Sequence, residues 1–147
     1  MSEQLALKVR RLRPGARLPE RATPESTGLD LYACLEGEGV LRLAMRPRLV
    51  PTGIAIEIPG GYDVQIRPRS GLSAKGVGVT LGTVDSDYRG EVMVTMYLFD
   101  PEASFEIRHG DRIAQMVISR AADLPVLEVE ELTQTKRGAG GHGSTGR

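Results

Sequence analysis

Polar and apolar residues alternate with a period of two along much of this chain. Leu5, Leu7 and Val9 interleave with Ala6, Lys8 and Arg10; Ile54, Ile56 and Ile58 with Ala55 and Glu57; Tyr62, Val64 and Ile66 with Asp63, Gln65 and Arg67. Side chains on a strand point alternately to its two faces, so this spacing predicts strands half buried against a core. Pro59-Gly60-Gly61 separates the last two runs and predicts a tight hairpin, with proline presetting φ and glycine accepting a positive one. Val92-Met93-Val94-Thr95-Met96-Tyr97-Leu98-Phe99 and Ile113-Ala114-Gln115-Met116-Val117-Ile118 are apolar on both faces and predict central strands. Further strands are predicted around Leu29-Asp30-Leu31 and at Val40–Leu43, Val77–Leu81, Phe105–Ile107 and Val126–Leu132. The one helical signal is Ser70-Gly71-Leu72-Ser73-Ala74-Lys75, enough for a single turn with Ser70 near its start.

About ten short strands punctuated by Gly and Pro indicate an all-β fold, an antiparallel β-barrel or jelly roll. No internal repeat is present. Beyond Leu132 the character changes, because Thr133 to Arg147 contains no large apolar residue. Residues 1–132 therefore read as one β domain and residues 133–147 as a flexible glycine-rich arm, with too little apolar surface to offset the entropy of ordering its backbone.

Composition narrows the possible functions. A chain of 147 residues buries one ordinary core. Five of its 18 glycines fall in the last ten residues, which marks the arm as the unusual segment. The 19 basic and 19 acidic side chains cancel, which argues against a surface that tracks nucleic acid and makes any phosphate chemistry local. Cys34 is the only cysteine and lies in an apolar run, so it reads as a buried, unreactive thiol in a reducing compartment. No apolar run reaches the length of a membrane span, and Met1-Ser2-Glu3-Gln4 does not open a signal peptide. The expectation is a cytoplasmic protein without a membrane partner.

Four polar constellations carry candidate chemistry. In Arg67-Pro68-Arg69-Ser70-Gly71 a strand hands over to the helical turn, and Arg69, the Ser70 hydroxyl and free N–H groups suit phosphate oxygens; a serine helix cap beside surface arginines is the alternative. In Gly82-Thr83-Val84-Asp85-Ser86-Asp87-Tyr88-Arg89-Gly90 a carboxylate followed by an aromatic ring suits activation of a water beside a flat ligand, and a plain turn is the alternative. Asp30 stands between leucines of a strand, where it either meets Mg²⁺, a cation that keeps several waters, or faces solvent. The arm offers Arg137, His142, Ser144, Thr145 and Arg147 among glycines, either to cover phosphates and stack on a base or as a solvated linker. The histidines, His109 and His142, form no metal-ligand cluster. Gln115 inside an apolar strand needs a polar partner, from the backbone or from a ligand.

Taken in order, five stretches resemble the trimeric dUTPase family. They are Ser26 to Ala33, Arg69-Ser70-Gly71-Leu72, Gly82 to Gly90, Gly110-Asp111-Arg112-Ile113-Ala114-Gln115, and Arg137-Gly138 through Gly146. The resemblance implies a jelly-roll homotrimer that hydrolyses dUTP to dUMP and pyrophosphate with Mg²⁺, in sites shared between subunits. It makes Asp85 the general base and sets Tyr88 against the deoxyribose, leaving no room for a 2′-hydroxyl. It gives Arg69, Ser70, Gly71 and Gln115 to the phosphates and Asp30 to Mg²⁺ through water. Main-chain groups around Thr83 and Val84, with Met93, read the uracil edge, and the arm of another subunit brings Arg137 and Ser144 to the phosphates.

Two departures from the family pattern are visible. His142 stands where phenylalanine is common, so the base-stacking ring is smaller and titratable. The segment from Ser70 to Asp85 is short and lacks an asparagine often found there. The rival readings are a dCTP deaminase or bifunctional enzyme of the same superfamily, and a non-enzymatic jelly-roll binding protein.

Overall fold

The computed structural model describes residues 4–37, 39–144 and 146. Among them the chain forms β1 (Lys8–Arg11), β2 (Leu29–Tyr32), β3 (Leu41–Arg42), β4 (Arg48–Glu57), β5 (Tyr62–Arg67), a one-turn helix α1 (Ser70–Ser73) and β6 (Val77–Val79). There follow β7 (Gly82–Val84), β8 (Glu91–Leu98), β9 (Glu106–Ile107) and β10 (Arg112–Arg120). One antiparallel sheet has the order β1-β4-β8-β6, a second β2-β10-β5-β7, and β3 pairs with β9.

The two four-stranded sheets share one core. Val50, Ile54, Val92, Val94 and Met96 enter it from the first, and Leu31, Val64, Ile113 and Met116 from the second, all buried. Each such side chain contributes about 1.5–3 kcal/mol on leaving water. The expectation of central strands holds for both apolar runs: β8 lies between β4 and β6, and β10 between β2 and β5. Thr52, the one polar residue in the described core, satisfies its hydroxyl by donating to the Val92 carbonyl at 2.5 Å.

Several expectations need correction. The sheets stay open at β1 and β6 and at β2 and β7, so the described residues form no closed barrel; the all-β antiparallel architecture is consistent with a jelly roll. Pro59-Gly60-Gly61 does make a turn, with the Tyr62 N–H on the Pro59 carbonyl at 3.3 Å, but β4 and β5 lie in different sheets. The turn is a corner between sheets and not a hairpin. Gly82–Val84 is a strand, which its glycine and aspartate neighbours had concealed as loop.

The predicted strand Val126–Leu132 is absent. That segment has no regular structure and is exposed throughout, with Val126 at 101% and Leu132 at 85%, and it pairs with no strand among the described residues. No described helix is long and apolar enough to cross a membrane, and Cys34 is buried as expected.

Candidate functional site

The second sheet arranges most of the candidate residues. Its strand β7 pairs with β5 through Gln65↔Thr83 and Val64↔Val84, and the chain then turns at Asp85, whose carbonyl accepts the Tyr88 N–H at 3.1 Å. Val84 is buried and anchors the turn, while Thr83, Asp85 and Tyr88 stay exposed on its rim. Together with Met93 on β8 these residues line a cavity of about 230 Å³, floored by Ile66 and Val92. Thr83, Val84, Asp85, Tyr88 and Met93, proposed from sequence to handle base, sugar and water, thus converge on one cavity.

A second group forms where β10 runs between β2 and β5. Gln115 lies opposite Asp30 on one side and Arg67 on the other. Its amide donates to the Pro68 carbonyl at 2.9 Å, so the polar partner it required is backbone. A Cβ at Gly28 would overlap the Gln115 amide, and this close approach explains a glycine there. The Asp30 carboxylate stands between two guanidinium groups, 3.4 Å from Arg69 Nε and 3.6 Å from Arg112 Nη1. Arg69 also reaches the Arg112 carbonyl at 3.4 Å. Asp30 is therefore not the solvent-facing strand acid of the alternative reading. Nor is Ser70 a helix cap: Arg69 occupies that position without a side-chain cap bond, and its carbonyl accepts the N–H groups of Leu72 and Ser73. Ser70 and Gly71 are exposed at the start of the turn.

The arm holds the third group apart. Arg137 Nε donates to the Gly140 carbonyl at 2.8 Å, and the Ser144 N–H to Gly141 at 3.0 Å, so the bonds found here are local. His142 has a positive φ of 53° and is exposed. Thr145 and Arg147 lie outside the described residues. Among the described residues, no hydrogen bond or ion pair joins Arg137, His142 or Ser144 to either of the other groups.

One feature had no sequence signal. Arg13, in the turn after β1, clasps Glu91 at the start of β8 with two bonds of 2.9 and 2.7 Å, and Glu91 also accepts the Gly53 N–H at 3.1 Å. Partners 78 residues apart leave no local pattern. Glu91 lines the 230 Å³ cavity and also a larger one of about 470 Å³, bounded by Arg13, Cys34 and Pro51, that contains none of the predicted site residues.

Hydrogen bonds from Arg13 and then Gly53 hold the Glu91 carboxyl below its ordinary value of 4.5, against the opposing effect of burial. Arg13 is in turn held above its ordinary range by Glu91. A depressed carboxyl stabilises the fold fully above its unfolded value and loses that contribution as pH falls through the folded one. The urea midpoint of the native protein should therefore exceed that of Glu91→Gln at about pH 7, and the gap should shrink by about pH 3. A gap that does not change with pH would contradict this coupling.

Comparison with known proteins gives this geometry its context. The dUTPase family model matches residues 15–146. The chain belongs to the dUTPase family. Deoxyuridine 5'-triphosphate nucleotidohydrolase of Nautilia profundicola is 47% identical over 97% of this chain and all of that protein. The protein of the same name from Treponema denticola is 50% identical over 92% of this chain and 95% of its own length. Among solved structures, a G164S mutant of the Staphylococcus bacteriophage 80alpha dUTPase with dUpNHpp superposes with a TM-score of 0.85 at 26% identity, covering 98% of this chain and all of that one. A dUTPase from phage phi11 of S. aureus, described with a structural Mg(II) ion, shares the fold at a TM-score of 0.78 and 24% identity, over 88% of this chain and 99% of that one.

For a dUTPase, the donor set bears on the metal. Among the described residues no group of three His, Cys, Asp or Glu side chains is placed to hold an ion. Asp30 is a single hard carboxylate with both oxygens facing guanidinium groups, which is no all-protein cage and is compatible with a hydrated Mg²⁺ only across one of the waters that ion keeps.

Proposed function

We propose that this dUTPase-family protein hydrolyses dUTP to dUMP and pyrophosphate with Mg²⁺. The observation that carries this reading is the single cavity lined by Thr83, Val84, Asp85, Tyr88 and Met93, in a chain whose relatives are nucleotidohydrolases of deoxyuridine triphosphate. Asp85 takes a proton from water as its oxygen bonds to the α-phosphorus. The bond from that phosphorus to the bridging oxygen breaks, and pyrophosphate leaves. Arg69, Ser70, Gly71 and Gln115 hold the phosphate oxygens, and Asp30 keeps the Arg69 guanidinium aligned and would hold Mg²⁺ through a water. The ion, when bound, neutralises charge on the triphosphate. Phosphoryl transfer asks for positioning and charge neutralisation more than covalent chemistry, and these residues supply that. Tyr88 packs on the deoxyribose, and main-chain groups at Thr83, Val84 and Met93 read the uracil edge.

The same reading makes the protein a homotrimer with shared sites. Asp30 and Thr83 lie on opposite edge strands of one sheet, three strand spacings apart, about 14 Å measured across the strands, and no hydrogen bond or ion pair of the described arm residues reaches either. Leu124, Val126, Leu127 and Leu132 are all at least 80% exposed, an apolar strip that a second copy would cover. From another subunit, Arg137 and Ser144 would reach the phosphates and His142 would stack on the base. A buried lone thiol suits a cytoplasmic setting.

The test is pyrophosphate release from dUTP with Mg²⁺, run beside ammonia release from dCTP. Turnover of dUTP without ammonia is the expected result. Ammonia release would identify a deaminase, and inactivity of folded protein on both substrates would leave a binding role.

A further inference from the structure

The assignment of Tyr88 to the sugar raises a physical difficulty. Tyr88 is 45% exposed, and an exposed ring free to change rotamer cannot discriminate against one added hydroxyl. Something must hold it. The Tyr88 hydroxyl donates to the main-chain carbonyl of Glu91 at 2.8 Å. The ring also lies directly over Gly90, where a Cβ would come within 2.6 Å of the ring carbon Cζ. The ring is thus pinned at its tip by Glu91 and supported from beneath by a residue with no side chain.

Glu91 is itself fixed from outside the loop. Arg13 grips its carboxylate with two parallel bonds of 2.9 and 2.7 Å, the most directional form of ion pair. The register between β4 and β8 shifts between Pro51 and Ala55, and this irregularity turns the Gly53 N–H onto the same carboxylate at 3.1 Å. Leu12, next to Arg13, donates to the Gly53 carbonyl at 2.7 Å, so the arginine is docked on the same irregularity. The chain of contacts runs from Arg13 to the Glu91 side chain, through the Glu91 backbone, to the Tyr88 hydroxyl.

We infer that Arg13 and Glu91 are positioning residues for sugar selection: they hold Tyr88 by its hydroxyl, so that a 2′-deoxyribonucleotide is accepted and a ribonucleotide rejected. The inference rests on the proposed activity. Arg13 lines no part of the proposed site cavity and Glu91 stands at its wall; in this role both act through the ring.

The experiment measures kcat/KM for dUTP and UTP in the full-length protein and in Tyr88→Phe, Arg13→Gln and the double variant. Tyr88→Phe keeps the ring and removes the tether, and the dUTP-over-UTP ratio should fall about tenfold, the scale of one net hydrogen bond. Arg13→Gln should lower the ratio in the same direction, and the double variant should fall no further than the larger single effect. Loss of folded protein lowers both substrates alike and leaves the ratio untouched. An unchanged ratio in Tyr88→Phe overturns the tether, and an unchanged ratio in folded Arg13→Gln overturns the part played by the pair. If Arg13→Gln does not fold, Arg13→Lys, which keeps charge but loses the two-pronged grip, takes its place under the same criteria. If the native protein does not hydrolyse dUTP, the functional reading fails instead. Amide hydrogen exchange over residues 85–91 then decides the contact: faster exchange in both variants supports it, and unchanged exchange refutes it.

Discussion

Asp85→Asn should lower turnover of dUTP by roughly 10²–10⁴, the range expected when a general base is lost, while substrate still binds. The reasoning starts from what the substitution leaves intact. The Asp85 carbonyl closes the turn to Tyr88, and Val84 beside it is buried, so the backbone of the loop is held by groups that the change does not touch. Asparagine has nearly the same shape and keeps the side chain in the cavity, but an amide cannot accept a proton from water. The defect should therefore fall on kcat, with KM close to that of the native protein. Near-normal kcat would remove Asp85 from the role of base, and a defect confined to KM would make it a binding residue.

Removal of residues 137–147 should abolish most activity, by roughly 10²-fold or more, the scale of losing a donor aimed at developing charge. The bonds seen for the arm are local, from Arg137 to Gly140 and from Ser144 to Gly141. Deletion thus uncovers no core and keeps the apolar strip Leu124–Leu132. On the proposed reading, what is lost is a cover that would order over bound substrate, bring Arg137 and Ser144 and keep bulk water from the phosphates. Pyrophosphate release and size-exclusion elution, measured on the same sample, separate the two effects. A truncated protein of native size and full activity would end the lid proposal, and one that dissociates would make the arm a part of the assembly.

Much of this arrangement was legible in the sequence because its determinants are local. Period-two spacing marked β5 and the apolar runs marked β8 and β10 as central strands, since a strand buried on both sides must be apolar on both faces. Asp85 and Tyr88 were legible because they share one loop. Arg112 was passed over because its role depends on Asp30, a partner brought beside it only by strand pairing. Arg13 and Glu91 were missed for the same reason. The Val126–Leu132 expectation failed for a different one: its apolar residues need a strand edge to pair with, and among the described residues none is beside it.

The position of β10 has a consequence for how the molecule is made. Gln115 sits between Asp30 and Arg67, so neither β2 nor β5 gains its main partner until the last strand, ending at Arg120, has been synthesised. A chain emerging from the ribosome therefore carries β2 without its strand partner and β5 paired only with the short β7, and the cluster of Asp30, Arg69, Arg112 and Gln115 comes into being only once β10 has emerged. Closure over so long a separation is slow compared with local hairpin formation. The interval leaves Leu31 of β2 and Val64 and Ile66 of β5 without the completed sheet that buries them, and it is during synthesis that the chain is most exposed to wrong association.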